Sequence, residues 1–125
     1  MILWDGWIMS EVFVFGSNKA GRHGKGAAQD AVNFYGAKYG VGEGLVGSSY
    51  AIPTKDEDLN VLSLDEIGNS IWRFLEFAKA NPKMKFHLTP VGCGLAGYSR
   101  RDIWAILQKH GVPENVLLTS TWVTP

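Results

Sequence analysis

The chain has 125 residues, enough for one domain with a single sizeable core. Its 12 Lys and Arg residues balance 12 Asp and Glu residues, so the formal net charge is zero, which argues against duplex nucleic acid as a partner. A single cysteine excludes an internal disulfide. With nothing that reads as a signal peptide or a membrane span, these features predict a cytoplasmic protein without a membrane partner.

The first half of the chain predicts a strand, a helix and a second strand. Residues 1–11 are apolar and predict a peripheral strand or packing arm, and whether Met9 is the true start stays open. Residues 12–15 form a wholly apolar run that predicts a buried strand ended by Gly16. Apolar residues then recur at helical spacing over 27–35, and residues 49–54 predict the second strand.

The second half predicts two capped helices and two strands. Each helix begins at a sequence with the spacing of a capping box, at residues 63–66 and 99–102. The first of these helices is stopped near residue 81, and the second ends at Gly111. Strands are expected at 86–91 and 116–121.

The resulting order, β-α-β-α-β-α-β, predicts one α/β domain over residues 1–125. We expect three α/β/α layers, with helices on both faces of a mixed, mostly parallel central sheet. The first or last strand can be reversed in such a sheet.

Chemically unusual segments follow three of the predicted strands. They are Gly16-Ser17-Asn18, Thr54-Lys55-Asp56 and the stretch 92–98. If the strands are parallel, all three segments lie at the carboxyl edge of the sheet, where open α/β folds bind ligands.

Two loops rich in glycine lead into helices at this edge. The first glycine loop is residues 21–26 and the second is residues 92–98. A helix N-terminus presents unpaired N–H groups, and glycine lets a backbone approach an anion, so two such loops together suit a diphosphate. The alternative is that these glycines only make turns.

The sequence resembles the macrodomain superfamily of ADP-ribose-binding modules. The segments that carry the resemblance are VFGSN, GKGAAQDAVNFYG, SYAIPTKD and TPVGCGLAGY, in this order, and they span about residues 12–122. The likeness is strongest to the branch that contains the terminal ADP-ribose protein glycohydrolase, through the Pro-x-x-Gly-Cys-Gly-Leu loop. The chain is also similar to short macrodomain-like proteins of bacteriophage and environmental sequences.

The resemblance implies a binding site for ADP-ribose or a similar nucleotide diphosphate, and ADP-ribosylated protein as a further partner. Asn18 would bond the distal ribose at the strand end that Gly16 and Ser17 share, and Trp122 would lie near the adenine. A core tryptophan is the alternative for Trp122. The remaining ligand-binding residues belong to the two glycine loops: Gly24, Gly26, Ala27, Gly92, Cys93, Gly94, Leu95, Ala96, Gly97 and Tyr98.

The resemblance also implies a catalytic lysine. Lys55 matches the residue that attacks the ribose anomeric carbon in the glycohydrolase. Ala96, however, stands where that enzyme has an assisting aspartate. Hydrolysis, a non-catalytic reader of a nucleotide signal, and a structural protein that has lost its ligand therefore stay open.

Two other side chains, His23 and Cys93, are of types that carry out chemistry. His23 is a candidate acid–base residue, with a hydrogen-bonding or surface role as the alternative. Cys93 has no histidine within reach to act as its base, so it is expected to serve as a small loop residue. No Asp, His and Cys cluster has metal-ligand spacing, and neither a metal nor a cofactor is expected.

Overall fold

The protein is described from a computed structural model that covers residues 10–123. Five strands, three α-helices and one short 3₁₀ helix make up this part of the chain. The strands are β1 (Ser10–Asn18), β2 (Gly44–Val46), β3 (Ser49–Lys55), β4 (Met84–Leu88) and β5 (Val116–Leu118). The helices are α1 (Gly26–Phe34), α2 (Leu64–Ala80) and α3 (Arg100–His110), and the 3₁₀ helix is Ser120–Trp122.

One mixed sheet contains all five strands in the order β2-β3-β1-β4-β5. β1 lies between β3 and β4 and is parallel to both, and β5 is parallel to β4. Only β2 is antiparallel, at the edge beside β3. The sheet therefore confirms the expected mixed and mostly parallel arrangement, and the ends of β1, β3 and β4 share one edge.

Helices cover both faces of the sheet. The larger core packs α2 and α3 against one face, and Phe74, Phe86 and Ile103 in it are fully buried. A smaller cluster packs α1 against the other face around Phe15 and Ala31. These are the three α/β/α layers that the order of elements predicts.

Helix capping follows the sequence closely. Ser63 and Glu66 form the complete capping box at the start of α2. At the start of α3, Ser99 accepts a hydrogen bond from the Asp102 N–H at 3.1 Å. α3 ends at Gly111, whose φ of +82° favours glycine.

Several strand boundaries differ from the prediction. β1 begins at Ser10, so residues 10 and 11 belong to it, while the predicted arm over 1–9 lies outside the described residues. β1 also continues through Gly16 to Asn18, because these residues still pair with Ile52, Pro53 and Lys55 of β3. β4 and β5 both end three residues earlier than predicted, and β2 was not predicted.

No helix within residues 10–123 is both long enough and apolar enough to cross a membrane.

Candidate functional site

A cavity of about 1040 Å³ opens at the carboxyl edge of the sheet. The ends of β1 and β3 form its floor with Ser17, Asn18 and Lys55, and the segment after β4 closes one side. The first turn of α1 lies on its rim. The segments that follow the three parallel strands are thus brought together, as the topology requires.

The Asn18 side chain holds the first glycine loop, which leads into α1. Its side-chain Nδ2 donates to the Arg22 carbonyl at 2.7 Å, and its Oδ1 accepts from the Arg22 N–H at 2.9 Å. Both ends of the amide are therefore used to shape the loop that carries Arg22 and Gly24 into the cavity wall.

The N-terminus of α1 is open toward the cavity. Its N-cap residue, Lys25, is extended and offers no side-chain cap, and Gly26 adopts a φ of +60°. The first N–H groups of a helix have no partner within the helix, so those of Gly26, Ala27 and Ala28 are available to a ligand. All three residues line the cavity.

The second glycine loop presents free N–H groups by a different route. α3 starts beyond it at Arg100, and Ser99 already caps that helix. Within the loop, the N–H groups of Cys93, Gly97 and Tyr98 are used in turns. Those of Gly94, Leu95 and Ala96 donate to no residue in 10–123 and border the cavity. The loop itself, rather than the start of α3, therefore presents the second set of unpaired N–H groups at the cavity.

Charge is distributed unevenly around the cavity. Among its described lining residues, four are basic and one, Asp30, is acidic. The basic residues are Arg22, Lys25, Lys55 and Arg100. The side chains of Arg22, Lys25 and Lys55 make no hydrogen bond or ion pair with any residue of the described chain. The site is therefore locally positive in a chain whose net charge is zero.

Lys55 is half-buried at the end of β3. Its carbonyl accepts from the Lys19 N–H at 2.9 Å, which fixes the backbone beside the end of β1. The neighbouring Asp56 faces away into a turn, where its Oδ1 accepts from the N–H groups of Asp58 and Asn60. These hydrogen bonds, the Asn60 bond first, lower the Asp56 pKa.

No protein-family model and no curated protein matches the sequence. Solved structures do match the fold. A protein of unknown function from Bacteroides thetaiotaomicron superposes with a TM-score of 0.60 at 18% identity, over 90% of this chain and 88% of that one. A macrodomain protein from Streptomyces coelicolor superposes with a TM-score of 0.58 at 14% identity, over 92% and 90%.

The chain has a macrodomain-like fold. A second crystal structure of a Bacteroides thetaiotaomicron protein also superposes on this chain, with a TM-score of 0.59 at 17% identity over 89% of this chain and 88% of that one.

Most of the ligand-binding residues expected from the macrodomain resemblance do line the cavity. They are Gly16, Ser17, Asn18, Gly24, Gly26, Ala27, Gly92, Cys93, Gly94, Leu95 and Ala96, together with Lys55. Their roles toward a ligand stay predictions.

His23 does not reach the cavity. Its ring is fully buried, packs edge-on against Phe15 and has Nε2 3.1 Å from the Val41 carbonyl oxygen. A side chain enclosed on the α1 side of the sheet cannot exchange protons with a ligand at the carboxyl edge. The expectation of an acid–base role for His23 is therefore corrected to a core role.

Trp122 and the end of the second glycine loop also lie outside the cavity wall. Trp122 is buried, donates from Nε1 to the Leu88 carbonyl at 2.7 Å and packs edge-on against Trp104. Tyr98 donates its hydroxyl to the Leu62 carbonyl at 2.7 Å, which ties the loop to the start of α2. Trp122 is therefore a core tryptophan, which is the alternative given above. Gly97 and Tyr98 belong to the second glycine loop but do not line the cavity.

Cys93 lines the cavity, but its surroundings do not activate it. Burial raises the pKa of its thiol. The Sγ atom lies 3.6 Å from the Val91 carbonyl oxygen, and no described histidine lines the cavity. Residues 10–123 also hold no group of three or more His, Cys, Asp and Glu side chains that could bind a metal ion.

The sequence reasoning missed several lining residues. Arg22 and Lys25 lie between the glycines of the first loop, and their positive charge beside a predicted anion site was a usable signal. Leu59, Thr119 and Thr121 come from segments outside the glycine loops and carried no such signal.

Proposed function

We propose that the protein binds ADP-ribose or a related nucleotide diphosphate in the carboxyl-edge cavity. The observation that carries this proposal is the pairing of two sets of free backbone N–H groups across one cavity, at the start of α1 and at Gly94, Leu95 and Ala96. Each set matches the oxygens of one phosphate group, and two sets match a diphosphate.

The charges and size of the cavity support the same ligand class. The unpaired side chains of Arg22, Lys25 and Lys55 favour an anion. A volume of about 1040 Å³ is at the upper end of the range for small-molecule sites, and it leaves space for a nucleoside and a second sugar beyond the diphosphate. The likeness to the Streptomyces coelicolor macrodomain protein supports it further.

Calorimetric titration tests this proposal. We expect ADP-ribose to bind at least tenfold more tightly than AMP, because AMP leaves one set of N–H groups unused. Lys25→Met should weaken ADP-ribose binding roughly fivefold through loss of one charge, whereas Lys38→Met should not, since Lys38 is exposed and away from the cavity. Equal affinity for AMP and ADP-ribose up to millimolar concentration would contradict the proposal.

Hydrolysis of ADP-ribosyl–protein linkages is a second candidate function, and Lys55 favours it. In the step we propose, Lys55 gives up a proton to water and its Nζ attacks the anomeric carbon of the distal ribose, the bond from that carbon to the carboxylate oxygen of the target protein breaks, and the carboxylate leaves. Water then cleaves the lysine–ribose bond and restores the amine. This step belongs to the glycohydrolase branch, and kinship with that branch or with phage proteins stays a prediction.

Ala96 favours the non-catalytic reader over the hydrolase. Its methyl group lines the cavity where the resemblance places an assisting carboxylate, and Asp30 is the only acidic residue of the described cavity lining. An ADP-ribosylated protein incubated with this chain distinguishes the two functions. Release of ADP-ribose that is lost in Lys55→Ala and accelerated in Ala96→Asp supports hydrolysis, and binding without release supports a reader.

A structural protein without a ligand is the remaining alternative. In that case Asn18→Ala would alter the loop that it holds but would change no ligand affinity, because there would be none to measure.

A further inference from the structure

Leu59 has a backbone conformation that leucine rarely adopts. Its φ is +65°, and it is the only residue other than glycine with a positive φ in the described part of the chain. For L-residues with a Cβ this region is strained, and glycine or asparagine is the usual occupant. Leu59 lies in the turn that follows β3, four residues after Lys55.

The turn holds Leu59 in place through Asp56. The Asp56 carboxylate accepts from the N–H groups of Asp58 and Asn60 at 2.8 and 2.9 Å. The Leu59 N–H donates to the Asp56 carbonyl at 3.1 Å, and the Asp56 N–H donates to the Asn60 carbonyl at 2.8 Å. These four hydrogen bonds hold Leu59 at its positive φ and do not relieve the backbone strain.

The side chain gained at this cost is apolar, exposed and directed to the cavity wall. Leu59 is 44% exposed and lines the cavity, as does Lys55 four residues before it. Leu95, which is 75% exposed, lines it from the second glycine loop. An exposed leucine in a strained backbone contributes little to the core, so the position points to contact with something that enters the cavity.

We infer that Leu59 packs against the distal sugar of the bound ligand and so favours ADP-ribose over ADP. This inference rests on the proposed function. The diphosphate is assigned to the two sets of N–H groups, whereas Leu59 follows β3 by four residues and lines the same cavity as Lys55, the side chain proposed to face the distal ribose. The apolar face of a ribose ring offers leucine a surface to cover.

Calorimetry with ADP-ribose and ADP tests the inference. We expect Leu59→Ala to weaken ADP-ribose binding roughly fivefold, the scale for about one CH₂ group's worth of lost apolar burial, and to leave ADP affinity within twofold. Val61→Ala is the matched control, since Val61 is 45% exposed two residues after Leu59 but does not line the cavity. It should leave both affinities unchanged.

Leu59→Gly separates contact from strain. It also removes the side chain, so it should lose the same ADP-ribose affinity as Leu59→Ala, but it should melt at a higher temperature than Leu59→Ala because glycine adopts the positive φ freely. Unchanged ADP-ribose affinity in both variants, or an equal loss for ADP, would overturn the inference while the proposed function stands. Absence of ADP-ribose binding by the wild-type protein would overturn both.

Discussion

Replacing Trp122 with phenylalanine separates the two roles that an indole at this position can have. If the residue is part of the core, the change lowers stability and leaves ligand affinity unchanged. If its indole stacks on adenine, the smaller ring of phenylalanine covers less of the base, so affinity falls while stability does not. The structure favours the first outcome, because Trp122 is buried and does not line the cavity.

The expected loss of stability has three contributions. The Nε1–H donates to the Leu88 carbonyl at 2.7 Å, but that carbonyl also accepts from the Thr119 N–H at 3.1 Å and stays satisfied, so losing the bond costs about 1 kcal/mol. The smaller ring leaves a void that costs about 1.5 kcal/mol. The weakened edge contact with Trp104 adds about 0.5 kcal/mol. Together these changes lower the free energy of unfolding by about 3 kcal/mol.

Thermal unfolding measures this loss, and calorimetry with ADP-ribose measures the affinity. In a domain of this size about 3 kcal/mol corresponds to a fall in Tm of roughly 10 °C. Trp104→Phe is the matched control, since Trp104 is exposed and should lose about 1 kcal/mol or less. A Trp122→Phe protein with an unchanged Tm and a tenfold weaker affinity for ADP-ribose would refute the core assignment.

Three further changes test the packing and electrostatics by thermal unfolding. Gly42→Ala would place its Cβ 2.3 Å from the Asn18 carbonyl oxygen and should lower the free energy of unfolding by about 3 kcal/mol. In the control Gly24→Ala the new Cβ meets no atom within 4 Å, so the loss should be under about 1 kcal/mol. Equal losses in the two variants would contradict this geometry. Hydrogen bonds lower the pKa of Asp56, so its carboxylate stabilises the fold above about pH 5, and this stabilisation is lost as the pH falls through the folded-state pKa. The Tm advantage of wild type over Asp56→Asn should therefore shrink toward pH 2, and a difference in Tm that does not depend on pH would contradict this. Burial raises the pKa of Tyr50 to about 12, so the contribution of its neutral side chain to stability is complete below about pH 10 and is lost as the pH rises toward 12. Tyr50→Phe should therefore gain stability relative to wild type between these pH values, and a constant difference in Tm would contradict the assignment.

The sheet and the edge that carries the candidate site could be predicted because they depend on local patterns. β1 contains an apolar run, and a helix follows each of β1, β3 and β4. Such connections make neighbouring strands parallel, which alone brings Asn18, Lys55 and the second glycine loop together. No contact between distant residues had to be known.

The boundaries and buried polar residues could not be predicted because they depend on distant neighbours. The sequence at Gly16 predicts a strand end, yet Gly16 continues β1 because it pairs with Ile52 of β3. The fate of His23 depends on Phe15 and Val41, to which it packs and bonds across the fold. β2 has only three residues and lies beside glycines, so its pairing with β3 gave no periodic signal.

Asn18 contributes to the site by positioning the first glycine loop, because its amide is bonded to the protein backbone. Its amide is engaged at both ends by the backbone of Arg22, and the same bonds set the path along which Arg22, Gly24 and Lys25 approach the start of α1. The opposite wall is held in the same way from behind, by the hydroxyl of Tyr98 on the Leu62 carbonyl. Side chains that are hydrogen-bonded to the backbone therefore fix both loops. The groups left free to meet an anion are backbone N–H donors and flexible cations, which explains how a chain with no net charge can build a locally positive site.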